Sequence, residues 1–229
     1  RYKGTKTVSI TPDYAEVSKL TDEWLSAKQG TDAALAMAMG HVILKEFHLE
    51  NPSAYFTDYV RQYTDMPFLV ELETREDGTL VPGRQLRAAD FTDNMGQDNN
   101  PEWKTVVWDE NRDQLVVPLG SIGFRWNEEE INQGKWNLEP LDADGAEIKP
   151  LLTLAKAHDE VARVAFPYFG GIAHEHFEHV EGASGDRLYH CLPAKKMQKA
   201  DGSQILVVTV FDLMCANYGI DRGFGKDGE

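Results

Sequence analysis

Two short apolar stretches near the amino terminus each run straight into a helix-opening turn. Residues 6–10 ("KTVSI") alternate as a short strand does and lead to Thr11-Pro12-Asp13, where a threonine hydroxyl can cap a helix and a proline can take its first position. This spacing predicts a helix over residues 12–20. Residues 22–26 ("DEWLS") predict a second short strand, after which Gly30 breaks the pattern and Thr31 or Asp32 opens a longer helix. Its apolar positions Leu35, Met39, Val42, Ile43 and Phe47 recur at helical spacing, and Asn51-Pro52 stops it. Ser53 caps a further helical stretch, "SAYFTDYVRQY". A strand followed by a capped helix, twice over, is the half-repeat of a doubly wound parallel sheet, whose ligands sit beyond the carboxyl ends of the strands.

From Pro67 the texture changes. "PFLVELETREDGTLVPGR" reads as two strands joined by an Asp77-Gly78 turn, and "EWKTVVWDENRDQLVVP" repeats the hairpin pattern with residues 111–113 in the turn. An acidic stretch over residues 127–149 is expected to be loop or weak hairpin, anchored by Trp126 and Trp136. Strands over residues 188–198 and 204–208 meet at Asp201-Gly202, and "VFDLMCANYG" is helix-like. The fold class expected is α/β: part of a doubly wound, dinucleotide-binding-like sheet over residues 1–65, then an α+β continuation rich in antiparallel hairpins over residues 66–229.

Charge removes some functions. With 38 Asp and Glu against 23 Lys and Arg, the net charge of -15 repels phosphate backbones and anionic lipid, so no nucleic-acid partner is expected. No apolar run approaches the roughly 20 residues that cross a bilayer. The first residues carry neither an initiator Met nor a signal-peptide core, so the chain reads as cut from something longer. Cys191 and Cys215 stand in no C-x-x-C frame, and neither G-x-G-x-x-G nor G-x-x-x-x-G-K-[ST] occurs.

Several other residues invite chemistry and are read more plainly. His174, His176 and His179 in "HEHFEH" alternate with Glu175 and Glu178 but lack the H-E-x-x-H spacing of a zinc site. His41 is expected to be packed or hydrogen-bonded in its helix, and Asp65 to serve local turn chemistry ahead of Met66-Pro67. Arg84, Arg87 and Arg125 read as ion-pair partners, Met37 and Met39 as core filling, and the two cysteines as small core residues.

At Gln29-Gly30-Thr31-Asp32, glycine lets a backbone approach a ligand, helix N–H groups favour an anion, and Asp32 can accept from a base or ribose. Spacing alone favours an ordinary helix cap, since Thr, Asp and Gly cap helices widely. The run "RYKGTKTVSITPDYAEVSKLTDEWLSAKQGTDAALAMAMGHVILKEFHL", however, resembles the molybdopterin-dependent oxidoreductases, where a "PGTDAAL"-like turn contributes to binding a molybdopterin guanine dinucleotide. Gln29 stands where the wider family usually has Pro, and Thr11-Pro12 where it often has Asp-Pro. Both departures resemble the respiratory nitrate reductase branch. "YTDMPFLV", "NNPEWKTV", "GSIGFRW", "GKWNLE", "FPYFGG" and "TVFDLMCANYG" extend the likeness to that branch's catalytic alpha subunits along nearly the whole chain.

The resemblance implies an enzyme at the cytoplasmic face of the membrane that reduces nitrate to nitrite. It would carry molybdenum bis(molybdopterin guanine dinucleotide) and an iron-sulfur cluster, and take electrons from quinol through an iron-sulfur beta subunit and a membrane gamma subunit. The matching positions for guanine-dinucleotide contact are Thr11, Pro12, Asp13, Gln29, Gly30, Thr31 and Asp32, with Lys28 a weaker addition. The iron-sulfur ligands and the molybdenum carboxylate lie upstream in such proteins, so no catalytic or metal residue is assigned and the isolated segment is expected to be inactive. A related molybdopterin oxidoreductase acting on another oxyanion, or a non-catalytic nucleotide-binding module, remain the alternatives.

Overall fold

The computed structural model describes residues 3–119, 140–167 and 187–225. Arg125, Trp126, Trp136 and the cluster from His174 to His179 lie outside the described residues. β1 (Val8–Ile10) and β2 (Glu23–Leu25) pair in parallel, from Val8 against Glu23 to Ile10 against Leu25. The helix expected over residues 12–20 does not form. Only a 3-10 turn, Ser18–Leu20, stands there, because polar side chains in this crossover take the backbone's hydrogen bonds. Thr11 Oγ1 accepts from Asp13 N at 3.3 Å, Ser18 Oγ donates to the Asp13 carbonyl at 3.3 Å, and Thr21 Oγ1 donates to the Ser18 carbonyl at 2.9 Å.

α1 (Asp32–Leu44) follows, runs on through one wider π-type turn, Lys45–Glu50, and ends at Asn51 as expected. Ser53 then caps α2 (Ala54–Tyr63), its Oγ accepting from Phe56 N at 3.3 Å.

The remainder is built on a closed five-stranded barrel: β3 (Leu69–Thr74), β4 (Leu80–Gln85), β7 (Glu160–Pro167), β8 (Arg187–Gln198) and β9 (Gln204–Thr209), with a separate hairpin of β5 (Val107–Asp109) and β6 (Gln114–Val116). All but one of the joins are antiparallel, and β4 meets β7 in parallel at Leu80 and Val164. The hairpins at Asp77-Gly78, residues 111–113 and Asp201-Gly202 form where the turn residues put them. β7 had no assignment from sequence; its run "EVARVAF" carries Glu160 on one face, Arg163 on the other and two alanines, so it shows no clean apolar alternation. Val70, Leu72, Val164, Leu192 and Val208 fill the barrel. α3 (Val210–Asn217) closes the fold and packs Phe211, Cys215 and the following Ile220 against Leu44, Val60 and Leu152.

Candidate functional site

In-register parallel pairing brings the exits of β1 and β2 to one end of the sheet. Thr11 N donates to the Leu25 carbonyl at 3.2 Å, so the pairing persists one residue beyond β1 before Pro12 and Asp13 turn out into solvent. Trp24, on β2, donates its indole N–H to the Thr11 carbonyl at 2.9 Å and meets the Tyr14 ring edge-on at 4.9 Å. It thereby fixes the first turn. Sequence reading did not single Trp24 out, although an aromatic with a polar handle at the exit of a strand is a signal of that kind.

The second turn carries Lys28, Gln29 and Gly30 exposed, Thr31 half-buried and Asp32 exposed. Gly30 adopts φ +80° with open space where a Cβ would stand. Thr31 occupies the cap position of α1, yet its hydroxyl donates backwards to the Lys28 carbonyl at 2.6 Å. Among the described residues no side chain caps α1, so its first-turn N–H groups are open to an acceptor. The turns at Thr11, Pro12 and Asp13 and at Gln29, Gly30, Thr31 and Asp32 thus share one end of the parallel pair.

Other residues fall mostly as read. His41 Nδ1 donates to the Tyr218 carbonyl at 2.8 Å, and Asp65 supplies a turn, its carbonyl accepting from Phe68 N at 2.9 Å. Arg84 pairs with Asp90, whereas Arg87 corrects the ion-pair expectation: among the described residues its guanidinium meets the neutral Trp103 carbonyl and Gln85 Oε1, each at 3.5 Å. Burial above all pushes the Cys215 thiol up to about 12, which leaves no thiolate at neutral pH. Met37 and Met39 correct the expectation of core filling. They are 37% and 50% exposed, as Val42, Ile43 and Phe47 also are exposed, because α1 is apolar on every side and turns only Leu44 fully inward. An open cleft of about 800 Å³ at the barrel's end, between Thr74, Leu80, Glu160, Lys196, Gln204 and Leu206, has its lysine already held by Glu160 at 2.7 Å.

A family model described as molybdopterin oxidoreductase matches residues 1–171. The chain belongs to that family. Among relatives, the respiratory nitrate reductase 1 alpha chain of Escherichia coli K12 is 61% identical over 97% of this chain. The nitrate reductase alpha chain of Bacillus subtilis 168 is 44% identical over 99% of it. A more distant one, the perchlorate reductase subunit alpha of Dechloromonas aromatica, is 28% identical over 67%. In each case the match spans 17% of the relative's own length. Membership of the molybdopterin oxidoreductases implies a molybdenum-pterin cofactor. Among the described residues no helix is long and apolar enough to cross a membrane, and no three His, Cys, Asp or Glu side chains converge as a metal site would need.

Proposed function

We propose that the chain is a segment of the catalytic alpha subunit of a respiratory nitrate reductase, and that it holds the guanine-dinucleotide end of the molybdenum cofactor. Identity of 61% across 97% of the chain to a nitrate reductase alpha chain carries the substrate reading. The uncapped mouth of α1, beside the open backbone at Gly30, supports the cofactor reading. Residues 1–65 form the cofactor-binding portion and residues 66–229 its continuation.

The residues of this chain fit such a group. N–H groups at the α1 mouth donate to phosphate or ribose oxygens, Gly30 admits close backbone approach, and Asp32 and Asp13 offer exposed acceptors for a guanine or ribose edge. Thr11, braced by Trp24, and Pro12 set the course of the first turn, while Gln29 and Thr31 shape the second. When bound, the cofactor supplies oxygen-atom transfer, by which nitrate with two electrons and two protons becomes nitrite and water. In this reading electrons come from quinol through iron-sulfur clusters, by way of a membrane gamma subunit and an iron-sulfur beta subunit, the alpha subunit lying at the cytoplasmic face of the membrane.

The likeness to a perchlorate reductase subunit supports a second reading, another oxyanion as substrate. Steady-state assay of the full-length subunit with reduced viologen separates them. Nitrate is expected to give the higher kcat/KM, and a preference for perchlorate overturns the first reading. The 229-residue chain alone is expected to turn over neither.

A further inference from the structure

α1 leaves much of its length uncovered, with Met39, Val42 and Ile43 all exposed. Its docking on the rest of the described protein passes through Gly40, His41 and Leu44. A methyl group on Gly40 would collide with the Tyr218 ring at Cε1, 2.8 Å from Cζ and 2.9 Å from Cδ1. The next residue, His41, donates from Nδ1 to the Tyr218 carbonyl at 2.8 Å. One turn on, buried Leu44 joins the cluster of Phe211, Cys215 and Ile220 against which Tyr218 also packs.

Tyr218 is in turn held firmly. It ends α3 in a Schellman turn: Gly219 takes φ +71° and donates to the Ala216 carbonyl at 2.9 Å, and Ile220 N reaches back to the Cys215 carbonyl at 2.9 Å. Beyond the turn, Arg222 folds back on the fully buried Asp212. Asp212 also accepts from Thr153 Oγ1 at 2.7 Å and Leu154 N at 3.1 Å, which ties the turn to the loop ahead of the barrel strand β7.

We propose that Tyr218, presented by the Schellman turn and the Asp212–Arg222 pair, is a positioning residue that seats α1 at Gly40-His41 and so fixes the Gly30-Thr31-Asp32 mouth. The inference rests on the reading of that mouth as the nucleotide seat. A helix transmits the seat as a rod: Gly40 lies eight helical steps beyond Asp32, about 12 Å at the helical rise.

The test is made in the full-length subunit, with guanine nucleotide per folded subunit and hydrogen exchange as readouts. Alanine is the better helix former, so a loss in Gly40→Ala is due to the Tyr218 ring and not to weaker helix. Gly40→Ala is expected to lower nucleotide retention about tenfold, within the coupling usual for residues in contact. It should speed exchange over residues 31–35 while leaving β5 and β6 unchanged, a local pattern that general destabilisation does not give. Tyr218→Ala should also lose nucleotide, and adding Gly40→Ala to it should cost nothing further. His41→Leu, which removes the bond without filling space, should speed exchange over the same residues. Wild-type retention and exchange in Gly40→Ala, or an equal loss with and without Tyr218, overturns the inference. Asp32→Ala separates the two levels. If it loses nucleotide and the Gly40 and His41 variants do not, only the seat falls; if Asp32→Ala retains nucleotide fully, the mouth reading falls and the seat with it.

Discussion

Arg112 stands between two carboxylates, its Nε 2.7 Å from Asp109 and its Nη1 2.8 Å from Asp142. Asp109 is fully buried and also accepts from Lys149 N at 2.8 Å and Asn111 N at 3.2 Å, while Asp142 accepts from Ala146 N at 2.8 Å. Burial works to raise the Asp109 pKa, but Arg112 and the two amides outweigh it and leave it below the ordinary carboxylate value. For Asp142 the Arg112 hydrogen bond is the foremost cause of the same downward shift. A depressed folded pKa contributes stability present above the unfolded value, about 3.9, and lost as pH falls through the folded one. The thermal midpoint of Arg112→Gln should therefore lie below wild type at pH 7, with the gap narrowing once pH drops beneath about 4. A gap constant from pH 7 to pH 3 would show that the carboxylates hold no charge-dependent bond. None of this network was legible in the sequence, since Asp109 and Asp142 lie 33 positions apart and meet only through the fold.

At the scale of elements, legibility follows how local the cause is. The hairpins were readable because glycines at Asp77-Gly78 and Asp201-Gly202 supply positive φ, +79° and +85°, where other residues are strained. The strand exits were readable for the same reason at Gly30. The crossover over residues 12–20 was not, because Ser18 and Thr21 bond the backbone in ways that helix signals do not register. α1 misled differently: its apolar spacing suggested one buried stripe, whereas its apolar residues lie all round. A helix of that kind belongs inside a larger body, and the relatives are several times longer than this chain. Val42→Asp should accordingly change the stability of the 229-residue chain by less than about 0.5 kcal/mol, as an exposed substitution does. In the full-length subunit it should cost about 3 kcal/mol, as a buried unpaired charge does. Comparing thermal midpoints of both forms checks this, and equal small shifts would show that α1 stays uncovered.

Across the whole molecule, a parallel strand pair with its turns at one end is joined through α1 and α2 to a barrel that the sequence concealed. The barrel closes where β4 meets β7, and Leu80 and Val164 lie 84 positions apart, so no short-range pattern announces the join. The candidate site was legible because its residues are consecutive: Thr11-Pro12-Asp13 and Gln29-Gly30-Thr31-Asp32 each lie within one turn. What brings the two turns together is the in-register pairing of β1 with β2, and what braces them, Trp24 and Tyr218, lies outside both. The most direct measurement is molybdenum and guanine nucleotide per folded full-length subunit in Gly30→Val and Asp32→Ala. Gly30→Val blocks backbone approach with a β-branched side chain at φ +80°, and should leave the subunit largely without the nucleotide. Asp32→Ala removes a charged acceptor worth about 1.5 to 3 kcal/mol, one to two decades in affinity. Full occupancy by both molybdenum and guanine nucleotide in the two variants would contradict a cofactor role for the α1 mouth and leave the turn a helix start alone.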